Sequence, residues 1–165
     1  MDIINTGRNM TEQMQFKSRS DLKKIIDSLE KYLARPIKTG NHPTLYAEEL
    51  NGNFRTVMGI RICDYKFSID EKWVLPSDQK GLSFSASWAN LKDVHRMVSR
   101  GKDEMGNPNS ADVYWVLQTS EVPKDMAFIQ DRAPKKQGHY FLAVTKEIKV
   151  STLVENLKWM ADRMS

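Results

Sequence analysis

The sequence predicts a single α+β domain, and three observations support this prediction. The chain has 165 residues, about the length of one domain. Hydrophobic residues make up 40% of it, which is enough to form a buried core. Runs with the apolar spacing of helices occur near the start, in the middle and at the end, and strand-like runs lie between them. This order of helix, strands, crossover helix, strands and final helix is typical of α+β proteins.

The N-terminal part is expected to contain a loose arm followed by a helix. Residues 1–19 are polar and rich in methionine, without a clear apolar period. Ser20 is a favourable helix N-cap, and the residues that follow it at helical spacing are Leu22, Ile25, Ile26, Leu29 and Leu33. Because the residue before a proline disfavours the helical conformation, we expect this helix to end at Arg35-Pro36.

The next part is expected to form hairpins. Residues 44–50 and 54–62 are strand-like, and Asn51-Gly52-Asn53 between them carries the Asn-Gly pair typical of a hairpin turn. Residues 65–74 have the composition of a further hairpin or an extended segment. Residues 76–81 have the composition of a loop.

A strand and a helix are predicted for the middle of the chain. Residues 82–86 form the short strand, and Ser87 is placed to cap the helix after it. The apolar face of this helix is formed by Leu91, Val94 and Val98, and Gly101 stands where a C-cap is expected. Residues 102–111 are predicted to be a loop.

The C-terminal part is predicted to contain three strands and a helix. The strands are residues 112–118, 126–130 and 140–144, with a basic turn at 131–138 between the last two. The helix covers about residues 152–164, and its apolar stripe consists of Leu153, Leu157, Met160 and Met164.

Several classes of site are excluded by what the sequence lacks. The histidines His42, His95 and His139 are far apart and accompany no metal-binding motif, and Cys63 is the single cysteine. There is no phosphate-binding P-loop and no Gly-x-Gly-x-x-Gly. Ser85 stands where the second glycine of a hydrolase Gly-x-Ser-x-Gly motif belongs. We therefore expect no metal cofactor.

The expected location is the cytoplasm. The N-terminus shows no basic region followed by an apolar core, so no secretory signal peptide is visible. No apolar run approaches the roughly 18 residues that a membrane helix needs, and we expect no membrane partner.

Three groups of residues are candidates for a functional site. If residues 82–86 form a strand, Ser83 and Ser85 share one face with Ser87, which suits a cleft that binds sugar hydroxyls or an amide. The alternative is a solvated edge strand with Ser87 acting only as a cap. The other groups are Gly138-His139-Tyr140 and Tyr46 with Glu48 and Glu49, for which packing and an ordinary charged strand face are the alternatives.

In order along the chain, these pieces resemble the small bacterial toxins with an ADP-ribosyltransferase-like fold, typified by type VI secretion effectors. The matching segments are Thr44-Leu45-Tyr46, Gly81-Leu82-Ser83-Phe84, residues 122–131 and Gly138-His139-Tyr140-Phe141-Leu142. The resemblance covers about residues 44–163 and is dense over 120–142. It implies a split antiparallel or mixed sheet core with flanking helices, forming one domain over residues 1–165.

The resemblance also implies NAD as the donor substrate. Tyr46 or Tyr140 would stack on the nicotinamide. Ser83 and Ser85 would hold the ribose or amide, and Gly81, two residues before Ser83, would also belong to the NAD-binding site. His139 would bond a ribose hydroxyl. The carboxylate that stabilises the cation or activates the acceptor stays open among Glu48, Glu49, Glu121 and Asp131.

The sequence departs from the family pattern at three points, one of which is the absence of the family's proline after the His-Tyr strand. Ala47 stands where the family has an arginine after Leu-Tyr, so Arg55 or Arg61 would have to bind the NAD phosphate. No Glu-x-Glu motif is present, which leaves the mechanism and any protein-arginine acceptor open.

The acceptor is expected to be a macromolecule, with RNA or DNA slightly favoured over protein. Residues 1–40 hold eight Lys or Arg against five Asp or Glu, and residues 121–165 hold eight against six. The residues expected to contact phosphates are Lys23, Lys24, Arg132, Lys135 and Lys136. Solvation alone is the plainer explanation of such a modest bias.

A toxin of this kind needs an antitoxin or immunity protein as partner. Two other functions stay open: a nucleic-acid-binding or RNase-type toxin module without NAD chemistry, and an immunity or adaptor protein.

Overall fold

The computed structural model describes residues 32–100, 105–107, 110–135 and 138–164. Their strands are β1 (Tyr32–Lys38), β2 (Thr56–Val57), β3 (Ile60–Arg61), β4 (Lys66–Phe67), β5 (Trp73–Leu75), β6 (Leu82–Ser85), β7 (Ala111–Leu117), β8 (Met126–Gln130), β9 (His139–Val144) and β10 (Ile148–Lys149). The helices are α1 (Trp88–Val98) and α2 (Val150–Arg163).

The main sheet has five strands in the order β7-β1-β6-β9-β8, and every neighbouring pair is antiparallel. The three-stranded sheet β10-β5-β4 and the hairpin β2-β3 are separate from it. The described residues therefore form one small α+β domain with mostly antiparallel sheets and two helices, which confirms the predicted class.

The two faces of the main sheet are covered by different helices. One face packs with α2 into the larger core, in which Leu33, Phe84, Leu142 and Leu157 are almost completely buried. The other face carries the smaller cluster of Ala34, Leu91 and Trp115, to which α1 contributes Leu91. The main sheet thus separates two environments, and side chains of successive residues enter them alternately.

The predicted helix of the N-terminal part is wrong at its C-terminal end. Residues 20–31 lie outside the described residues, but Tyr32–Lys38 is strand β1 rather than the last turn of a helix. Five consecutive residues of β1 are buried because both faces of the main sheet are covered, so burial along the strand has no period of two. Pro36 is tolerated because β1 pairs with β6 only at Ala34, and the proline faces β7 alone.

The hairpin predicted around Asn51-Gly52-Asn53 is also wrong. Residues 44–50 contain no strand, and the hairpin of this region is β2-β3, with Met58 and Gly59 in the turn at positive φ. The two predicted strands are joined at two places: Tyr46 N–H donates to the Gly59 carbonyl, and Thr56 N–H donates to the Glu49 carbonyl while the Thr56 hydroxyl accepts from Glu49 N–H. A side chain thus replaces one bond of the ladder, and no strand develops.

The remaining predicted elements agree well with the structure. β4 and β5 form the hairpin expected in residues 65–74, and β6 to β9 match the predicted strands. Ser87 caps α1 by accepting a hydrogen bond from Asn90 N–H. α1 ends at Ser99, while Gly101 lies outside the described residues.

His42 and Thr44 hold the segment after β1 in place. Nδ1 of His42 accepts from the N–H groups of Thr44 and Leu45, at 3.2 and 3.1 Å. The buried Thr44 hydroxyl in turn donates to the Leu157 carbonyl of α2. Both bonds to Nδ1 need its lone pair, so protonation of that nitrogen breaks them.

We predict that His42 makes stability fall in mild acid. Burial lowers the pKa of His42 from its ordinary value of 6.5, and nearby Asp162 opposes this shift. The unfolded chain therefore binds the proton more readily, so this contribution is complete above pH of about 7 and is lost as the pH falls below 6. Because the ring is largely exposed, we expect less than about 1 kcal/mol.

The measurement is urea unfolding at several pH values for the wild type and His42→Asn. An asparagine carbonyl can accept from the same N–H groups but does not titrate. The wild type should lose more stability than His42→Asn between pH 7.5 and 5; parallel losses would contradict the prediction.

Candidate functional site

Ser83, Ser85 and His139 lie on the α1 side of the main sheet. Leu82 and Phe84 of β6 face the larger core, so the alternate residues Ser83 and Ser85 face the other way. The register of β6 and β9 places Ser85 directly opposite His139. Direct partners in an antiparallel pair have their side chains on the same face, so the structure brings these predicted residues together.

His139 forms a dyad with Asp131. Nδ1 of His139 lies 2.7 Å from Oδ2 of Asp131, and the side chains are only 12% and 10% exposed. The carboxylate also accepts from Ala133 N–H, and Asp131 N–H donates to the His139 carbonyl, so both residues are fixed in place.

This geometry determines what the imidazole can do. An ionised carboxylate only accepts hydrogen bonds, so Nδ1 carries the proton and Nε2 keeps its lone pair in the neutral ring. Within the described residues, Nε2 makes no hydrogen bond and is not among the buried unpaired atoms. An imidazole held in this tautomer, with Nε2 accessible, is the arrangement of a general base.

The surroundings of the dyad come from β6 and the start of α1. Ser85 is 3% exposed and donates to Oδ1 of Asn90. Ser87, which was predicted to share its face, instead lies beyond β6 and caps α1. Gly138 packs so closely on Ser87 that a Cβ atom would lie 2.3 Å from its Oγ.

A cavity of about 350 Å³ lies between β8, the end of β9 and the loop after β5. It is lined by Pro76, Ser77, Asp78, Ile129, Val144 and Thr145. Ile129 is two residues before Asp131 on β8, and Gln79 bonds both the Gln130 carbonyl and Arg132 N–H, which flank Asp131. The loop after β5, which lines the cavity, is therefore bonded to the segment around Asp131 at the end of β8.

Tyr46 lies on the opposite side of the main sheet from His139. It packs against the larger core, and its hydroxyl accepts from Arg35 at 2.7 Å. Tyr140, which alternates with His139 on β9, also packs against that core. The structure therefore separates both predicted stacking residues from the Ser83, Ser85 and His139 face.

Arg35 is a residue that sequence analysis missed. It is 5% exposed and donates to the carbonyls of Pro43 and Ser83 and to the Tyr46 hydroxyl. It stabilises the mostly buried Asp64, whose pKa is raised by burial and held down by Arg35 and Arg61. The sequence pattern did not indicate a buried role for Arg35, because Arg35-Pro36 was interpreted as the end of a helix.

The two arginines predicted to replace the missing family arginine are also away from the dyad. Arg55 forms an ion pair with Glu71. Arg61 lies between two rings, 3.7 Å from the centroid of Tyr46 and 4.4 Å from that of Phe54. Both therefore belong to the side of the molecule that carries Tyr46.

The remaining predicted residues are dispersed. Among the candidate carboxylates, Asp131 contacts His139, whereas Glu48, Glu49 and Glu121 are exposed. Gly81 is buried against β9, and its φ of +147° and the close Leu142 carbonyl give it a structural role. Arg132 pairs with Asp78 at 3.3 Å and Lys135 is exposed, while Lys23, Lys24 and Lys136 lie outside the described residues.

A metal-binding cluster and a membrane-spanning helix are both absent from the part of the chain that the structure describes. It contains no group of three or more His, Cys, Asp or Glu placed to hold a metal ion. None of its helices has the length and apolar character needed to cross a bilayer.

Comparison of the chain with protein-family models, with curated proteins and with solved structures finds no match.

Proposed function

We propose that this protein is a toxin that transfers ADP-ribose from NAD to a macromolecule, with His139 as the general base. The observation that carries the proposal is the Asp131–His139 dyad opposite Ser85. The resemblance of the sequence to ADP-ribosyltransferase-like toxins supplies NAD as the donor. The cavity lined by Ile129 of β8 would hold part of the substrate.

In the proposed reaction, the bond between the ribose C1′ and the nicotinamide nitrogen breaks, and its electron pair stays on the nicotinamide. The acceptor oxygen or nitrogen forms a new bond to C1′ and loses its proton to Nε2 of His139. Asp131 then stabilises the imidazolium through Nδ1. Ser83, half-buried on the same face, is placed to bond a ribose hydroxyl or the amide.

Several residues have other roles in this reaction than those that the resemblance implies. Tyr46, Tyr140, Arg55 and Arg61 take no part in the chemical step, because they lie on the other side of the sheet from His139. Asp131 replaces Glu48 as the carboxylate that assists catalysis.

A nuclease that needs no NAD is the second candidate, and one observation favours it. Arg132 directly follows Asp131 in the chain and Lys135 lies four residues after it, so the segment after the dyad carboxylate is basic. His139 would then take the proton of an RNA 2′-hydroxyl as its oxygen bonds to the neighbouring phosphorus, while the bond from phosphorus to the 5′-oxygen of the next nucleotide breaks and that oxygen leaves with a proton from water.

Transfer of label from adenylate-labelled NAD into a bacterial lysate tests the proposal. Label that resists nuclease but is released by protease indicates a protein acceptor, and the reverse indicates nucleic acid; both support transfer. If NAD remains intact and no label is incorporated, the transferase is excluded. Cleavage of lysate RNA in the absence of NAD would then establish the nuclease.

A further inference from the structure

The small sheet β10-β5-β4 has an outer face whose side chains differ sharply from those of its inner face. Inward, Val74 and Ile148 are buried and Phe67 packs on the larger core. By alternation, the outer face carries Lys66, Trp73, Leu75 and Lys149. Trp73 stands directly opposite Lys149, and Leu75 opposite Lys66.

The outer face is aromatic and positively charged. Trp73 is 36% exposed, and the Lys149 ammonium lies 5.9 Å from its ring centroid. None of the residues described in these three strands is acidic. The acidic residues nearest to these strands along the chain stand in the segments that flank them, and Glu71 is paired with Arg55; they are Asp64, Asp70, Glu71 and Glu147.

A second aromatic residue is held beside this sheet by that ion pair. Arg55 reaches Glu71 in the turn between β4 and β5, and its neighbour Phe54 is 57% exposed. One side of the Phe54 ring is covered by the Arg61 guanidinium. Arg61 makes no side-chain hydrogen bond to any described residue, so its donors remain available to an anion.

We propose that this surface, formed by Phe54, Arg61, Lys66, Trp73 and Lys149, binds single-stranded nucleic acid. Unpaired bases stack on exposed rings such as Trp73 and Phe54, because every base has an aromatic face. The lysines and Arg61 match the charge of the phosphates. A double helix keeps its bases stacked inside and offers only phosphates, so it gains nothing from the rings.

This inference extends the proposed function by naming the acceptor class, but its test is independent of that function. Binding of 5′-fluorescein-labelled U12 and dT12 oligonucleotides is measured by anisotropy at 50 to 200 mM salt, without NAD. The RNA and DNA arms distinguish the two kinds of strand. Oligonucleotide binding without label transfer would support the binding surface and exclude the transferase. Label transfer to protein without oligonucleotide binding would support the transferase and exclude the binding surface.

Trp73→Ala is expected to weaken binding about 5- to 150-fold, the effect of losing one stacked base. Trp73→Phe keeps a ring and should retain most of the affinity. Lys66→Ala and Lys149→Ala should each reduce the slope of log K against log salt by about 0.7. Lys124→Ala and Met97→Ala remove an exposed charge and an exposed apolar side chain elsewhere, and serve as controls.

Two results would overturn the proposal. One is the absence of oligonucleotide binding at 50 mM salt by the wild-type protein, with thermal melting showing that it is folded. The other is equal binding of duplex and single strands, with Trp73→Ala no weaker than Met97→Ala, because that pattern indicates charge attraction without stacking.

Discussion

Replacing His139 with glutamine is expected to lower kcat for ADP-ribose transfer by about 100- to 10,000-fold, the usual contribution of a general base. Glutamine is similar in size and can still bond Asp131, but its amide accepts no proton at neutral pH. KM for NAD should change little, because the proposal gives His139 a role in proton transfer. Transfer of labelled ADP-ribose under saturating NAD measures the effect.

Asp131→Asn tests the second half of the dyad. An asparagine can turn its amide nitrogen towards Nδ1, which favours the tautomer with the proton on Nε2, the wrong nitrogen for a base. We expect kcat to fall by about 100-fold or more, and the double variant with His139→Gln to be no worse than His139→Gln alone. Such non-additivity is typical of residues that act as a unit.

Two comparisons separate a catalytic role from a structural one. His139→Ala leaves space beside Asp131, so added imidazole should restore part of the activity, which a folding defect would not allow. His42→Asn also removes a histidine, but far along the chain and outside the dyad, and should keep full transfer activity. A His139→Gln variant with normal folding and wild-type kcat would falsify the assignment.

The parts of the fold that the sequence predicts correctly are those determined by neighbouring residues. Ser87 and the apolar spacing after it define the start of α1, and the alternation in β6 correctly separates Ser83 and Ser85 from Phe84. β1 fails this test because the strands that pair with it are distant in sequence, so Leu33 lies in a strand although it continues the helical spacing of Leu29.

The candidate site was only half predictable for the same reason. Asp131 and His139 stand eight residues apart across a turn, so their meeting is a local event. The pairing of β6 with β9 and the placing of Tyr46 behind the sheet depend on topology, which the sequence pattern does not contain. Residue types alone therefore grouped Tyr46 with His139, whereas the sheet separates them.

Gly81→Ala is expected to destabilise the protein by about 3–5 kcal/mol, the largest loss of stability that we predict. A Cβ atom at this position would lie 2.2 Å from the Leu142 carbonyl oxygen, and this neighbour is backbone of the inner strand β9. Overpacking of this kind costs about 1–3 kcal/mol. The φ of +147° adds strain of a similar size for any residue with a side chain.

Gly52→Ala is the matched control, because it separates these two contributions. Gly52 also has a positive φ, +77°, but a Cβ atom there would meet nothing within 4 Å. The Gly52→Ala variant should therefore lose stability only through backbone strain, which lowers the free energy of unfolding by about 1 kcal/mol. Urea unfolding of both variants gives the difference, and equal losses would show that β9 yields to the new methyl group without cost.

The position of Gly81 ties this loss of stability to the dyad. Gly81 directly precedes β6, and Leu142 is three residues after His139 on the partner strand. If β9 moves to accommodate a methyl group, the Ser85–His139 register moves with it. Gly81→Ala should therefore lose transfer activity at temperatures where it is still folded, whereas Gly52→Ala should not. This combined loss would indicate that the close contact of β6 with β9 positions the base as well as holding the sheet together.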